Sequence, residues 1–422
     1  MSAKFREFVP PDDAPRYAGL DVDAETYADH VGEMLRLGLG DNNPFDLIVE
    51  RSNAPFQGVS ADGTIEPGLF DLAAEGAPIA DMVKAANHLL STVTPAERAK
   101  LVHPLTSVLR RRWLNPEFYL FRHGLRLDEV TAETRTAVFD FLKTTLSEAG
   151  YTKVRNCMYV NGFLGTIMVA PLIMNEYSYN FTLFGEPSLT EPWGWQMHGH
   201  HCVLNCQIVG EQMVMTPCFW GAEPNEVDRG PRRGLTLFTD EENLAVALFE
   251  TLPAQLRERV VLYPSAYDPA VPQGRLSPFD HLHLGGFSQD NRVIPYQGAP
   301  AADFGAASRD KLVELIEVYH RHLPDGPKAA RMAEIQKQLD STYFCWIGGS
   351  GPEDPFYYRI QNPVTLIEFD HHAGVFLNNP TAMRFHIHTL VRTPNGNDYG
   401  MALVRQYCEA HQRSMAGLEL NQ

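Results

Sequence analysis

The spacing of apolar positions along the 422-residue chain changes near residue 165. Before it, apolar residues recur every three or four positions, as in helices that bury one stripe. Residues 24–39 (AETYADHVGEMLRLGL) predict one helix, stopped by Gly-Asp-Asn. Residues 77–93 and 94–105 predict two more, the second with Thr94 as N-cap and Pro95 at its first position. Across 131–150, Val138, Phe139, Leu142 and Leu146 fall at helical spacing, and Gly150 reads as the stop.

Beyond residue 165 the period becomes two, and β-branched and aromatic residues dominate. Segments 166–174, 177–185, 201–210 and 212–221 read as strands, with a hairpin turn at Gly210-Glu211. Helices are expected over 240–252 and 308–323, and strands over 342–349, 356–372 and 383–393. A last helix, 399–412, is expected to be capped by Asn397 or Asp398. Such segregated runs predict an α+β fold, a helical N-terminal part packed on a largely antiparallel mixed β-sheet core. Residues 1–78 read as an N-terminal arm or cap, 79–150 as a helical region and 151–422 as an α+β catalytic core, with 79–422 one folding unit.

Charge removes several function classes. The formal net charge of −17 sets the surface against phosphate backbones and anionic lipid, so neither nucleic acid nor membrane is an expected partner. Six cysteines without a C-x-x-C pair, behind a start with no apolar h-region, point to a reducing, cytoplasmic setting. No P-loop, G-x-G-x-x-G, G-x-S-x-G or H-E-x-x-H pattern occurs, which excludes the easily named nucleotide, dehydrogenase and hydrolase signatures.

Histidine is what remains. Sixteen histidines scattered at random would give an H-x-H pattern about 0.6 times. The chain has four: His198/His200, His281/His283, His320/His322 and His386/His388. Alternation over 383–393 sends His386, His388, Leu390 and Arg392 to one face. The preceding strand groups Glu368, Asp370 and His372 in the same way, so Glu368 can approach the two imidazoles if the strands pair. Around Gly199, strand parity puts His198 and His200 on one side and His201 on the other. His200 is the favoured ligand, with His201 either replacing it or moving a proton. His320 and His322 close a helix, where a dipole interaction is expected. His281 and His283 lie on a short loop or strand that suits a site edge or a plain loop equally.

In order along the chain, RRRWLNPEFYLFRHGL, FGEPSLTEPWGWQMHGHHCVLN, TPCFWGAEPNEV, FCWIGG, FYYRIQNPVTLIEFD and FHIHTLVRTPNGNDYG resemble the domain-of-unknown-function 3500 family. The resemblance covers about residues 85–410 and singles out Gly199, His200, His201, Asn205, Glu368, Asp370, His386, His388, Arg392 and Asp398. His198 stands where an acidic residue is usual, His371-His372 where Asn-Thr is usual, and Thr393 where Asp commonly follows the arginine.

The expected function is a metal-dependent hydrolase acting on a small organic molecule. His200, His386, His388 and Glu368 would hold Zn²⁺, Fe²⁺ or Mn²⁺, and the ion would activate a water. His201 or Asp370 would move the proton, and Arg392 would orient an anionic group. Arg359, Trp195, Asn205 and His198 complete the expected substrate contacts, and a homo-oligomer is left open. The alternatives are a non-haem iron oxygenase, since two histidines and a carboxylate suit that chemistry, and a metal-free ligand-binding protein.

Overall fold

The computed structural model describes residues 4–11, 13–14, 19–39, 44–277 and 279–413. Its helices are α1 (Ala24–Leu39), α2 (Pro44–Asn53), α3 (Ile79–Thr92), α4 (Pro95–Leu101), α5 (Ala132–Thr145), α6 (Glu148–Ile167), α7 (Thr239–Thr251), α8 (Ala254–Val260), α9 (Ala306–Val318), α10 (Asp325–Lys337) and α11 (Met401–Ala410). Its strands are β1 (Val102–His103), β2 (Leu125–Arg126), β3 (Tyr179–Phe184), β4 (Trp193–Gly199), β5 (Cys202–Val209), β6 (Gln212–Val214), β7 (Cys218–Ala222), β8 (Val261–Tyr263), β9 (Ala299–Pro300), β10 (Tyr343–Gly348), β11 (Phe356–Gln361), β12 (Leu366–His372) and β13 (Met383–Arg392). The fold is α+β.

All the strands join one mixed sheet with the central order β3-β4-β5-β7-β13-β12-β11-β10. Only the β1·β3 and β10·β8 pairs are parallel. Both faces are covered. Phe385, Ile387 and Val391 of β13 enter the main core together with Val138, Phe141, Leu164, Leu248 and Leu315 from the helices. Leu390, from the alternate register, enters a second core with Val203, Phe219, Trp113, Phe287 and, from α1 and α2, Val31, Phe45 and Ile48. Irregular chain, with α1 and α2 behind it, therefore roofs this second face, and the period-two alternation of β13 decides which residues lie beneath it.

Local signals explain most element ends. Thr94 and Glu97 form a reciprocal capping box at α4, and Thr131 caps α5. The Gly210 turn joins β5 to β6, with Val209 opposite Gln212. The strand expected over 166–174 is absent, because α6 runs to Ile167 and turns follow it. Gly150 is not a stop either. Ser147 caps α6, and Gly150 sits in its first turn, where an added Cβ would lie 2.6 Å from the His322 carbonyl oxygen. Close packing, not helix termination, requires that glycine. Asp398 does not cap α11. Its carboxylate instead takes the Thr393 amide at 2.8 Å and an Arg392 N–H at 2.9 Å. His320 and His322 lie beyond α9, and burial holds their imidazoles below the usual range, so they are neutral and no charged histidine meets the helix dipole. No helix among the described residues is long and apolar enough to cross a membrane.

Candidate metal centre

β13 pairs with β12 on one side and β7 on the other, so His386 and His388 project from the middle of the sheet toward its loop-roofed face. His388 lies opposite Gly221 of β7. Glycine matters at that position, because a Cβ there would stand 2.8 Å from Cδ2 of His201. The His201 ring lies over this gap, and its Nε2 is 3.1 Å from Nε2 of His388. Nε2 of His386 is also 3.1 Å from Nε2 of His388. Three buried imidazoles thus converge, their ligand atoms all within 4.8 Å of one another. With metal–nitrogen bonds of about 2.1 Å, a 3.1 Å separation subtends roughly 95° at the ion, between octahedral and tetrahedral angles. This group could hold a metal ion.

The protonation states suit it. His386 donates Nδ1–H to the Ala373 carbonyl at 2.8 Å, which leaves the Nε2 lone pair facing the centre. Burial depresses the His386 pKa to about 3. Burial, reinforced by neighbouring imidazoles, also holds His201 and His388 well below the usual range. All three are therefore neutral at pH 7 and have lone pairs to offer.

His200 and His201 form the two-residue turn between β4 and β5, not a continuation of either strand, so strand parity does not decide between them. His201 adopts φ 61°. Its N–H donates to Asn115 O at 3.0 Å, and its carbonyl accepts the Gly221 N–H at 2.8 Å. A left-handed histidine held from both sides is strain retained to aim a side chain. His200 stacks on His201 with ring centroids 3.8 Å apart and donates Nδ1–H to Asn161 at 2.8 Å. It stands outside the converging group and lines a narrow polar cleft beside it.

The structure places the other expected residues as follows. Glu368 shares the face but lies opposite Leu390, two positions from His388. Both its oxygens are taken: Leu284 N–H and Tyr357 O–H donate to Oε1 at 2.8 and 2.7 Å, and Gly285 N–H donates to Oε2 at 2.7 Å. Glu368 fixes the loop that carries His283, and its oxygens stand outside the converging ligand atoms. Asp370 lies opposite His388, and its Oδ2 accepts from His281 Nδ1 at 2.9 Å and Leu282 N at 3.1 Å. Burial works to raise the Asp370 carboxyl, but the imidazoles of His283 and His281 outweigh it and hold it below the usual range.

Arg392 is fully buried, bound to Asp290 at 3.0 Å, Asp398 at 2.9 Å and the carbonyls of Gly285 and Gly286. It clamps the roofing loop to the sheet and does not face a substrate. Arg359 donates to the Pro295 carbonyl at 2.9 Å and to Gln297 at 3.0 Å. Asn205 bridges Gln196 and the Pro217 carbonyl. Trp195 packs against Phe141 and Phe181 in the helix-side core, so it walls no pocket on this face. His198 does line the cleft, stacked on His123 at 4.7 Å with Nε2 unpartnered.

Glu117 was not foreseen. It lines the same cleft, and its Oε1 accepts the Tyr27 hydroxyl of α1 at 2.8 Å. The residue is partly exposed, yet Oε2 is shielded from solvent and has no partner. Burial pushes the carboxyl up to about 7. Only the RRRWLNPEFYLFRHGL block, which contains it, hinted at its relevance.

No curated protein and no solved structure matches the chain. A family profile described as "Protein of unknown function (DUF3500)" matches residues 75–401, which include all three converging histidines. The chain belongs to that family.

Proposed function

We propose that the protein is a metal-dependent hydrolase of small organic molecules, working at His201, His386 and His388. The observation that carries this reading is the convergence of three neutral, buried Nε2 atoms, two of them each 3.1 Å from the third. A divalent ion at such a site lowers the pKa of a coordinated water to about 7 and polarises a carbonyl. The converging group holds three imidazoles and no carboxylate, which favours this over the oxygenase reading, whose usual set is two histidines and one carboxylate.

In this reading the proton falls to Glu117, whose unpartnered oxygen lines the cleft and whose pKa of about 7 suits both acceptance and donation near neutrality. The cleft, with Tyr119, Arg126, Asn180 and His198, is where a small polar substrate would enter. The reading keeps the cytoplasmic setting expected from the cysteine pattern, with zinc, iron or manganese as the ion.

The test is elemental analysis of purified protein, followed by hydrolysis of an activated ester such as 4-nitrophenyl acetate with and without chelator. Near-stoichiometric metal and chelator-sensitive hydrolysis, both lost in His386→Ala, are expected. Less than roughly 0.1 equivalent of metal in a preparation that still hydrolyses the ester would refute the proposal.

A further inference from the structure

The cleft beside the three-histidine centre has a one-sided supply of hydrogen-bonding groups, because most of its side-chain donors are spent on the protein. Arg126 is the one cation among the lining residues. It donates to the two oxygens of Asp128 at 2.8 and 3.2 Å, with its guanidinium 4.6 Å from the centre of the Tyr119 ring. The Asn180 amide donates to the His123 carbonyl at 2.7 Å and to the Tyr119 hydroxyl at 3.4 Å. The Ser178 hydroxyl donates to the Asn175 carbonyl at 2.9 Å. The Tyr119 hydroxyl proton is the one side-chain donor left over.

Acceptors are what the cleft leaves open. Oε2 of Glu117 and Nε2 of His198 are shielded from solvent and have no partner, and buried orphans of this kind point to a missing group. His198 is 6% exposed, and its ring bonds the His123 carbonyl through the other nitrogen, so the lone pair lies on Nε2. His200 commits Nδ1–H to Asn161 at 2.8 Å, which leaves its Nε2 as a third acceptor.

Size and charge narrow the occupant. The cleft encloses about 30 Å³, room for a head group the size of a water or two and not for a ring. A primary ammonium is that small, and it offers three donors and no acceptor. Phe118, Tyr119 and Phe121 also line the cleft, and aromatic faces attract a cation. A carboxylate or phosphate would instead meet three acceptors and no unpaired cation. The net charge of −17 adds a long-range attraction of the same sign preference.

We infer that the cleft binds the primary ammonium group of a small amine-bearing substrate, with Glu117 as its counter-ion and His198 and His200 as its further acceptors. The inference rests on the proposed hydrolytic reading, for which it names the substrate class, and it replaces the anionic group expected from Arg392. His200 stacks on His201 at 3.8 Å, so an ammonium on the His200 ring nitrogen lies one imidazole away from the three-histidine group. A neighbouring ammonium also keeps Glu117 charged, so that this residue enters the reaction as the base.

The test is isothermal titration of the metal-free full chain at pH 8 with propylammonium, and with propionate and propanol as its anionic and neutral counterparts. Propylammonium alone is expected to bind, with an affinity about tenfold or more lower in both Glu117→Gln and His198→Phe. In the wild type the affinity should fall about tenfold between pH 8 and pH 6, as Glu117 takes up a proton near pH 7, a readout that stands if the variants do not fold. Propionate binding as tightly as propylammonium, or a propylammonium affinity unchanged in both variants, would overturn the inference. Ester hydrolysis by a preparation that binds no propylammonium would overturn it and keep the hydrolytic reading. Propylammonium binding by a protein that holds no metal and hydrolyses nothing would support it and refute the hydrolytic reading.

Discussion

Gly221→Ala tests the three-histidine geometry without touching a ligand. The added Cβ would sit 2.8 Å from Cδ2 and 3.1 Å from Cγ of His201, and 3.0 Å from the Ile387 carbonyl oxygen. The carbonyl cannot move far, because Ile387 pairs with Ala222 in the ladder between β13 and β7. Ordinary carbon contacts begin near 3.5 Å, so the imidazole must retreat by about 0.6–0.7 Å. Its backbone is held through Asn115 and Gly221, and His200 stacks on it at 3.8 Å. A metal–nitrogen bond tolerates about 0.2 Å, so the displacement exceeds the tolerance roughly threefold. Metal affinity, read by chelator competition, should fall about 10–100-fold, and overpacking should cost the metal-free protein about 1–3 kcal/mol in chemical denaturation. The part of that cost due to the ring should vanish in a His201→Ala background, a coupling of about 1 kcal/mol, while the contact with the Ile387 carbonyl remains. Wild-type affinity in Gly221→Ala, or an equal stability loss with and without the His201 ring, would refute the placement of His201 over Gly221.

Further expectations follow from the same geometry. Glu117→Gln should keep the metal and the fold while removing the limb near pH 7 from the ester-hydrolysis profile, and an unchanged profile would exclude Glu117 as the proton carrier. In the metal-free protein, His200, His372 and His386 have pKa values of about 3 against 6.5 unfolded, so the unfolded state binds more protons between those values. Stability should then fall as pH drops below 6.5, by roughly 1 kcal/mol per histidine at about pH 5.5, with Glu117 opposing it by a similar amount; urea titrations across pH 5–7 check the sign. Arg392→Met should destabilise the fold by about 3–5 kcal/mol, because Asp290 and Asp398 lose their shared cation. Whatever remains folded should keep the KM of the wild type, whereas a raised KM would restore a substrate role for Arg392.

The sequence exposed what strand period controls and concealed what turns and loops control. His386 and His388 fall on the site face because β13 is a regular strand whose alternate residues separate between the two cores. Parity failed at Gly199-His200-His201, where a two-residue turn resets the side-chain directions and His201 takes φ 61°. Glu368 was on the expected face, but no spacing rule shows that the amides of Leu284 and Gly285, 84 and 83 residues away, consume its oxygens. Helix α6 was misread for a similar reason. Gly150 looks like punctuation, yet it marks a tight approach, with an added Cβ at 2.6 Å from the His322 carbonyl oxygen.

Burial is what turns this histidine-rich face from a set of titrating side chains into one that could hold an ion. An exposed imidazole is about half protonated near pH 6.5, and its lone pair is then unavailable. Beneath the roof formed by the Trp113–Phe121 stretch and Phe287, the imidazoles lose solvation and stay neutral through the physiological range. That neutrality has a structural cost, because Nδ1 of His388 and Nε2 of His372 find no partner, and one His388 Nε2–H can serve only one of the two nitrogens 3.1 Å away. A cation at the centre would take a lone pair from each ring once His201 and His388 present Nε2 unprotonated, so metal binding and fold stability should be coupled here. The roof that keeps the histidines neutral also contributes Glu117 to the cleft and is tied down by Glu368 and Arg392. The two residues first expected to act on metal and substrate therefore act on the loop that makes the centre dry.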